Sequence, residues 1–415
     1  MNHRIVITGL GMCSPVGGTA AESWRSLLAG TSGIGPVTLF DTSTMTVRIG
    51  GEAKGLDPAS LAAVFPAVRH ETDRKLALGL TAADQAIRDA ALDGDALRAA
   101  AVIVGVSLES FPLEQACLAA AADDLIQTLA AQSGVGLQTP LDRLAQLMGR
   151  HYGFNGGQIT NCSACAAGTQ AIGEAFRRLR AGWAEVAVAG AADSVLNPLG
   201  LGGFSLLRIL SNENDQPQRA CRPFDATRQG TVLGEGAVLL VLETLPHARR
   251  RGARIYAEVL GYGTSLDAYR ATDPDPGGKG AVRSMRRALA DAGLQPVQVA
   301  GVNAHGTGTP KNDLAETCAL KEVLGAHAFA IPVTANKSMT GHLIAASGAL
   351  EAAASALTLH TGWMPPTINL EHPDPQCNLD YVTAGRRAFD GRIILSNSFG
   401  FGGQNATLIF GKYDD

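Results

Sequence analysis

One series of short apolar segments and alanine-rich helical stretches runs twice along this chain, in the same order. Ile5-Val6-Ile7-Thr8-Gly9-Leu10-Gly11 is echoed by Ala257-Glu258-Val259-Leu260-Gly261-Tyr262-Gly263. Ala101-Val102-Ile103-Val104-Gly105 is echoed by Val299-Ala300-Gly301-Val302-Asn303. The turn at Cys165 leads into a helix through Thr169-Gln170-Ala171-Ile172-Gly173, and the turn at His342 into another through Ala345-Ala346-Ser347-Gly348-Ala349-Leu350. Ala237-Val238-Leu239-Leu240-Val241-Leu242 parallels Ala406-Thr407-Leu408-Ile409-Phe410. Each likeness is slight; their shared order carries the argument. Strands alternating with helices predict an α/β architecture. The repeated order predicts two similar halves, residues 1–250 and 251–415.

Composition excludes several classes. With 46% hydrophobic and 17% charged residues, the 415-residue chain has the make-up of a globular protein with a large interior. A net charge of −4 gives no basic excess for nucleic acid. No run of about 18 apolar residues appears, so no membrane span is expected. The sequence enters its first strand at once, which leaves no room for a signal peptide. Seven scattered cysteines, an odd number, fit reduced thiols in a cytoplasm better than a disulfide framework. The turn-rich stretch from Leu266 to Gly280 reads as a surface loop.

Three motifs carry chemistry. Asn161-Cys162-Ser163-Ala164-Cys165-Ala166-Ala167-Gly168 sets a thiol among small residues at a helix start. A helix N-terminus lowers a thiol's pKa, and the backbone N–H there is placed for a developing oxyanion. An isolated cysteine of this kind is more often a buried structural residue. Two histidine motifs change that expectation. His305 follows an apolar strand in Asn303-Ala304-His305-Gly306-Thr307-Gly308-Thr309, where Thr307 and Thr309 offer hydroxyls to an amide-rich substrate arm. His342 closes Lys337-Ser338-Met339-Thr340-Gly341-His342 and opens a helix, which favours a neutral ring with one N–H to donate. Two such donors on one carbonyl oxygen stabilise an enolate, each by roughly 3 kcal/mol.

Other signals are weaker. Lys337 and Glu351 read as a buried pair that sets charge and orientation. Cys162 with Cys165 spells Cys-x-x-Cys, but no second ligand pair supports zinc, and Cys162 is expected to be a small core residue at a strand end. In Asn397-Ser398-Phe399-Gly400-Phe401-Gly402-Gly403, glycines on either side leave Phe401 free to swing as a gate, or equally to pack at a strand-end turn. Gly9-Leu10-Gly11 is too short for a dinucleotide fingerprint, and the chain has no P-loop and no Gly-x-Ser-x-Gly elbow.

Together these motifs resemble the β-ketoacyl synthases, above all the elongating enzymes that work on acyl carrier protein in fatty acid and type II polyketide synthesis. The likeness runs from Val6-Ile7-Thr8-Gly9-Leu10-Gly11 to Asn405-Ala406-Thr407-Leu408-Ile409-Phe410. It implies a thiolase-like five-layered αβαβα fold built from two duplicated halves. It also implies a decarboxylative condensation: an acyl group passes to Cys165, malonyl carrier protein loses carbon dioxide beside His305 and His342, and the carbanion attacks the thioester. By the same resemblance, the N–H groups of Cys165 and Phe401 form the oxyanion hole. Asp267 falls in a second gating loop, Thr307 and Thr309 contact pantetheine, and Leu108 lines the acyl tunnel. Arg208, Arg69, Arg74 and Lys75 are docking candidates for an acidic carrier protein. No bound cofactor or metal is implied, only the phosphopantetheine arm of the carrier. A homodimer or a heterodimer with a ketosynthase-like subunit is expected.

The chain departs from the family in places. Arg228-Gln229-Gly230-Thr231 stands where relatives commonly have Arg-Asp-Gly-Phe, so the gate region is expected to be wider or rearranged. Glu109 is unusual near an acyl pocket, and residues 106–150 match poorly. The competing readings are a non-catalytic subunit like a chain-length factor, which usually lacks the nucleophile, and a degradative thiolase, which uses a second cysteine instead of two histidines.

Overall fold

The structure, a computed structural model, describes residues 3–71, 73–108 and 140–414. Its frame is a sheet of eleven described strands. These are β1 (Ile5–Cys13), β2 (Ala101–Gly105), β3 (Gln158–Asn161), β4 (Val186–Ser194), β5 (Glu235–Thr244) and β6 (Ala257–Leu266), followed by β7 (Gly301–Asn303), β8 (Pro332–Thr334), β9 (Asp380–Tyr381), β10 (Ile393–Gly400) and β11 (Gln404–Gly411). Their order across the sheet is β9-β8-β7-β10-β11-β6-β1-β5-β4-β2-β3.

The order contains its own repeat. Read outward from β1, the first half runs β1-β5-β4-β2-β3; read outward from β6, the second runs β6-β11-β10-β7-β8. Numbered within each half, with the edge strand β9 beyond β8 set aside, both are 1-5-4-2-3. Pairing direction repeats too: antiparallel at the first two junctions, parallel at the next two. The halves join where Ile5–Ile7 of β1 pairs with Ala257–Val259 of β6. The segments that echo each other in the sequence therefore occupy equivalent places.

Helices supply the remaining layers. On the outer face of the first half lies α1 (Arg74–Asp89); α2 (Ala167–Arg180) and α6 (Ala345–Thr361) lie between the halves. On the outer face of the second half lie α4 (Lys279–Ala292) and α5 (Pro310–Leu324). A short apolar helix, α3 (Pro198–Leu206), sits near the site described below. The result is the five-layered α/β arrangement. Helix α6 is buried from Ala345 to Leu359 and is made almost wholly of Ala, Ser, Gly, Thr and Leu. A helix enclosed on every side needs no polar face.

The paired glycines have a packing reason. A Cβ on Gly9 or Gly11 would overlap the carbonyls of Ala86 and Ala82 in α1. One on Gly261 or Gly263 would overlap those of Ala288 and Ser284 in α4. In both halves the Gly-x-Gly lets an outer helix lie directly on the first strand. Among the described residues, no helix is long and apolar enough to cross a membrane.

Candidate active site

Cys165 sits in a 3-10 turn, Ala164–Ala166, that runs into α2, and it is 6% exposed. Ala164 before it has φ 49, a conformation that costs an alanine energy and here sharpens the turn. The turn packs against the end of β10. A Cβ on Gly400 would lie 3.0 Å from the Cys165 nitrogen and 3.2 Å from that of Ala166, so only glycine leaves this approach free. The Phe401 N–H donates to the Cys165 thiol. The thiol is nevertheless pushed up to about 11, mainly by burial, with the Phe401 N–H and the Lys337 charge opposing. The sequence predicts a helix-lowered pKa; desolvation outweighs the helix here.

Both imidazoles are buried, and burial holds each well below the usual histidine range, with the Lys337 charge adding to it. Their rings meet edge to face at 5.3 Å between centroids. Their tautomers follow from their neighbours. Lys337 Nζ donates to the His305 carbonyl (2.6 Å), to Glu351 Oε1 and to His305 Nδ1 (3.1 Å). An ammonium has three protons, and all three are spent. His305 Nδ1 is therefore an acceptor and its proton sits on Nε2. His342 Nδ1 accepts the Ile344 N–H at 3.2 Å and lies 2.9 Å from Ser347 Oγ. Its proton also belongs on Nε2. Ile344 holds φ 46 to make that contact, a strained value for a β-branched residue. Two neutral rings thus each keep one N–H to give.

Several supporting residues carry no sequence motif. Glu316 in α5 accepts the N–H groups of His305 (2.8 Å) and Gly306 (2.9 Å) and the Asn397 amide (3.2 Å), which fixes the His305 loop. Burial pushes its carboxyl up to about 7 against those bonds. Asp313 accepts the N–H of Gly308, on the same loop, and that of Phe224, from a separate segment. Asp193, at the end of β4, accepts the Ala345 N–H at 3.0 Å and so ties the start of α6 to the first half. A carboxylate on a helix with mixed neighbours looks like a solvated one until the fold buries it.

Cys165, His305 and His342 line one cavity of about 430 Å³. Thr307, Thr309, Asp267, Phe401, Arg208, Gln229 and Thr231 line it too. Thr307 and Thr309 hydrogen-bond each other through their hydroxyls at 2.8 Å. The Phe401 ring stacks over Phe204 of α3 at 6.2 Å. Asp267 accepts the Asn405 amide at 2.7 Å, and its N–H donates to the Gly403 carbonyl at 2.9 Å, so the two loops at the mouth are joined. Lys337 and Glu351 are each 1% exposed and pair behind His305. Among the described residues, no group of three or more His, Cys, Asp or Glu is placed to hold a metal ion.

Four expectations need correction. Lys75 is not on the surface: it is 1% exposed, pairs with Asp73 at 3.2 Å and donates to the Leu108 carbonyl at 2.8 Å. Arg74 is committed to the fully buried Glu235, both of whose oxygens lie 2.8 Å from its Nε. Neither is free to meet a carrier protein. Leu108 is half exposed and does not line the cavity, because its side chain points outward while its carbonyl faces Lys75. Cys162 is exposed rather than in the core, its thiol on the Ser107 carbonyl. Arg69 and Arg208 are exposed. Glu109 lies outside the described residues.

Comparison with known proteins places most of the chain in one family. Residues 2–248 match the family model "Beta-ketoacyl synthase, N-terminal domain", and residues 256–371 match "Beta-ketoacyl synthase, C-terminal domain". A 3-oxoacyl-[acyl-carrier-protein] synthase 2 from Synechocystis is 42% identical over 99% of this chain and 98% of its own length. The protein of that name from Coxiella burnetii is 39% identical over 100% and 99%. Among solved structures, the ishigamide ketosynthase/chain length factor superposes with a TM-score of 0.88 at 34% identity, covering both chains fully. A type II polyketide synthase acyl-carrier protein in complex with its ketosynthase, bound to the hexaketide, gives 0.85 at 30% identity, again over both full chains.

Proposed function

As the chain belongs to the β-ketoacyl synthase family, we propose that it is an acyltransferase that condenses an acyl thioester on Cys165 with malonyl-acyl carrier protein. The observation that carries the reading is the pair of neutral imidazoles, each with its proton on Nε2, opening into the same cavity as the Cys165 thiol.

The steps follow from that geometry. Cys165 Sγ attacks the carbonyl of a carrier-bound acyl thioester. The oxyanion is met by the N–H groups of Cys165 and Phe401, the carbon–sulfur bond to pantetheine breaks, and the thiol proton leaves on the pantetheine sulfur. Malonyl carrier protein then enters. The carbon–carboxylate bond breaks, carbon dioxide departs, and its electron pair forms an enolate whose oxygen accepts Nε2–H bonds from His305 and His342. The enolate carbon attacks the acyl carbonyl. The tetrahedral oxyanion returns to the same two N–H groups, and its collapse expels the Cys165 thiolate, which takes a proton from solvent, and releases the β-ketoacyl thioester.

Acyl carrier protein is the proposed partner, with its phosphopantetheine arm passing Thr307 and Thr309. Arg208 at the cavity rim and Arg69 remain docking candidates. Phe401 and Asp267 would gate the mouth. The chain would act in fatty acid synthesis, as the names of its curated relatives suggest, and as a dimer. A non-catalytic role is not favoured, since those relatives are named as synthases.

Intact-mass measurement after incubation with acyl carrier protein tests the first half-reaction: a single acyl adduct on Cys165 is expected, and none would refute it. Release of carbon dioxide from malonyl carrier protein tests the second. Decarboxylation that survives replacement of both His305 and His342 would overturn the assigned roles.

A further inference from the structure

The cavity is lined in part by an ion pair that the chemistry above does not use. Asp273, in the loop after β6, accepts Lys311 Nζ from the first turn of α5 at 2.7 Å and Arg270 Nη1 from its own loop at 3.3 Å. Both Asp273 and Lys311 line the cavity. Two cations share one carboxylate, so the trio keeps one positive charge in excess. The Lys311 side chain is 68% exposed, and Asp273 only 24%. The same loop is tied to the gate: the Gly402 N–H, next to Phe401, donates to the Ala271 carbonyl at 2.7 Å.

A carrier-linked acyl group reaches Cys165 on an arm whose far end is a phosphate. That group is anionic, must stop at the rim while the thioester goes inside, and offers a lysine several acceptor oxygens. We propose that Lys311 binds this phosphate by exchanging it for Asp273. The exchange loosens the 267–275 loop and with it the turn that carries Phe401. The inference rests on the condensing reading and adds to it a binding residue for the arm, with Asp273 as its competing partner. A lysine can make this exchange because its ammonium is a point charge on a flexible stem and can swing between two acceptors.

The test compares acyl-phosphopantetheine with acyl-pantetheine, the same arm without phosphate, as donors to Cys165. The quantity read is the ratio of their acylation efficiencies by intact mass at low salt. The native protein is expected to prefer the phosphorylated donor. Lys311→Ala should cut that preference about fivefold, and Lys311→Arg should keep most of it. Asp273→Asn, which frees Lys311, should raise it. The native preference should shrink as salt screens the exposed charge. An unchanged ratio in Lys311→Ala overturns the proposal, and so does a fall in Asp273→Asn matching that of Lys311→Ala. If neither donor acylates the native protein, the condensing reading fails first, which is a different result from equal acylation by both.

Discussion

Replacing Lys337 by Met keeps the length of the side chain and removes its charge. Three hydrogen bonds go with it, two to His305 and one to Glu351. Glu351 is left 1% exposed, and its Oε2 already lacks a partner. Breaking one member of a buried pair costs about 3–5 kcal/mol, most of it the uncompensated charge. The cost must depend on pH. Burial already pushes the Glu351 carboxyl up to about 7 with Lys337 opposing, and without Lys337 it rises further. A carboxyl raised in the folded state holds a proton that the unfolded chain has released. Its stability is complete below the unfolded pKa and is lost as pH rises through the folded one. At pH 5 Glu351 is neutral, and Lys337→Met should cost only about 1–2 kcal/mol in lost hydrogen bonds. At pH 8 the full 3–5 kcal/mol applies. Adding Glu351→Leu removes the stranded carboxyl and should recover most of the loss at pH 8. Urea unfolding at the two pH values measures this, and malonyl decarboxylation should stay low in both variants because His305 Nδ1 has lost its donor. A loss independent of pH, or a double variant no more stable than the single one, would refute the reasoning.

Iodoacetamide labelling of substrate-free Cys165 should accelerate about tenfold per pH unit from 7 to 9, since a thiol at about 11 stays protonated throughout; a plateau below pH 8 would contradict burial as the dominant effect. Gly400→Val should slow acylation of Cys165 at least about a hundredfold, roughly 2.7 kcal/mol, by pressing on the Cys165 and Ala166 nitrogens, with a native circular dichroism spectrum. Acylation at the native rate would show that this approach is not needed. Glu316, raised from 4.5 to about 7, makes the native protein less stable as pH climbs through that window. Glu316→Gln should flatten this slope in thermal melts at pH 5 and 8, while decarboxylation falls because a glutamine oxygen cannot replace both carboxylate contacts to His305 and Gly306.

What the sequence made legible was whatever repeats or clusters. The doubled strand–helix order showed the duplication because first strands need Gly-x-Gly to seat an outer helix and last strands need unbroken apolar runs. Cys165, His305 and His342 stood out because each lies among small residues at a turn. Charge was harder to read. Lys75 and Arg74 look like the solvated start of a helix, yet one feeds the Leu108 carbonyl and the other neutralises Glu235. Glu316 and Asp193 look like surface acids, and only the fold turns them inward to hold His305 and Ala345. The pKa of Cys165 escapes the sequence for the same reason: a helix start is visible there, and depth of burial is not.

The duplication also explains why the site lies where it does. Cys165 and His342 precede α2 and α6, which are equivalent helices in the two halves and form the central layer together. For both ends to open into one cavity, the helices must nearly touch. A Cβ on Gly168 would lie 2.5 Å from the Ala345 carbonyl and 3.0 Å from the Ala349 nitrogen, and one on Gly348 would overlap the Thr169 hydroxyl. Each helix therefore carries a glycine where the other crosses. Packing two copies of one supersecondary unit face to face brings their helix starts together without any added element. It leaves each start free to take a different side chain: a thiol in the first copy, an imidazole in the second. His305 comes from the loop after β7 of the second half and completes the set. Its counterpart in the first half follows β2, where Lys75 reaches the Leu108 carbonyl. Equivalent places thus hold a thiol against an imidazole at the helix starts, and a backbone carbonyl held by a lysine against an imidazole held by Lys337 at the loops.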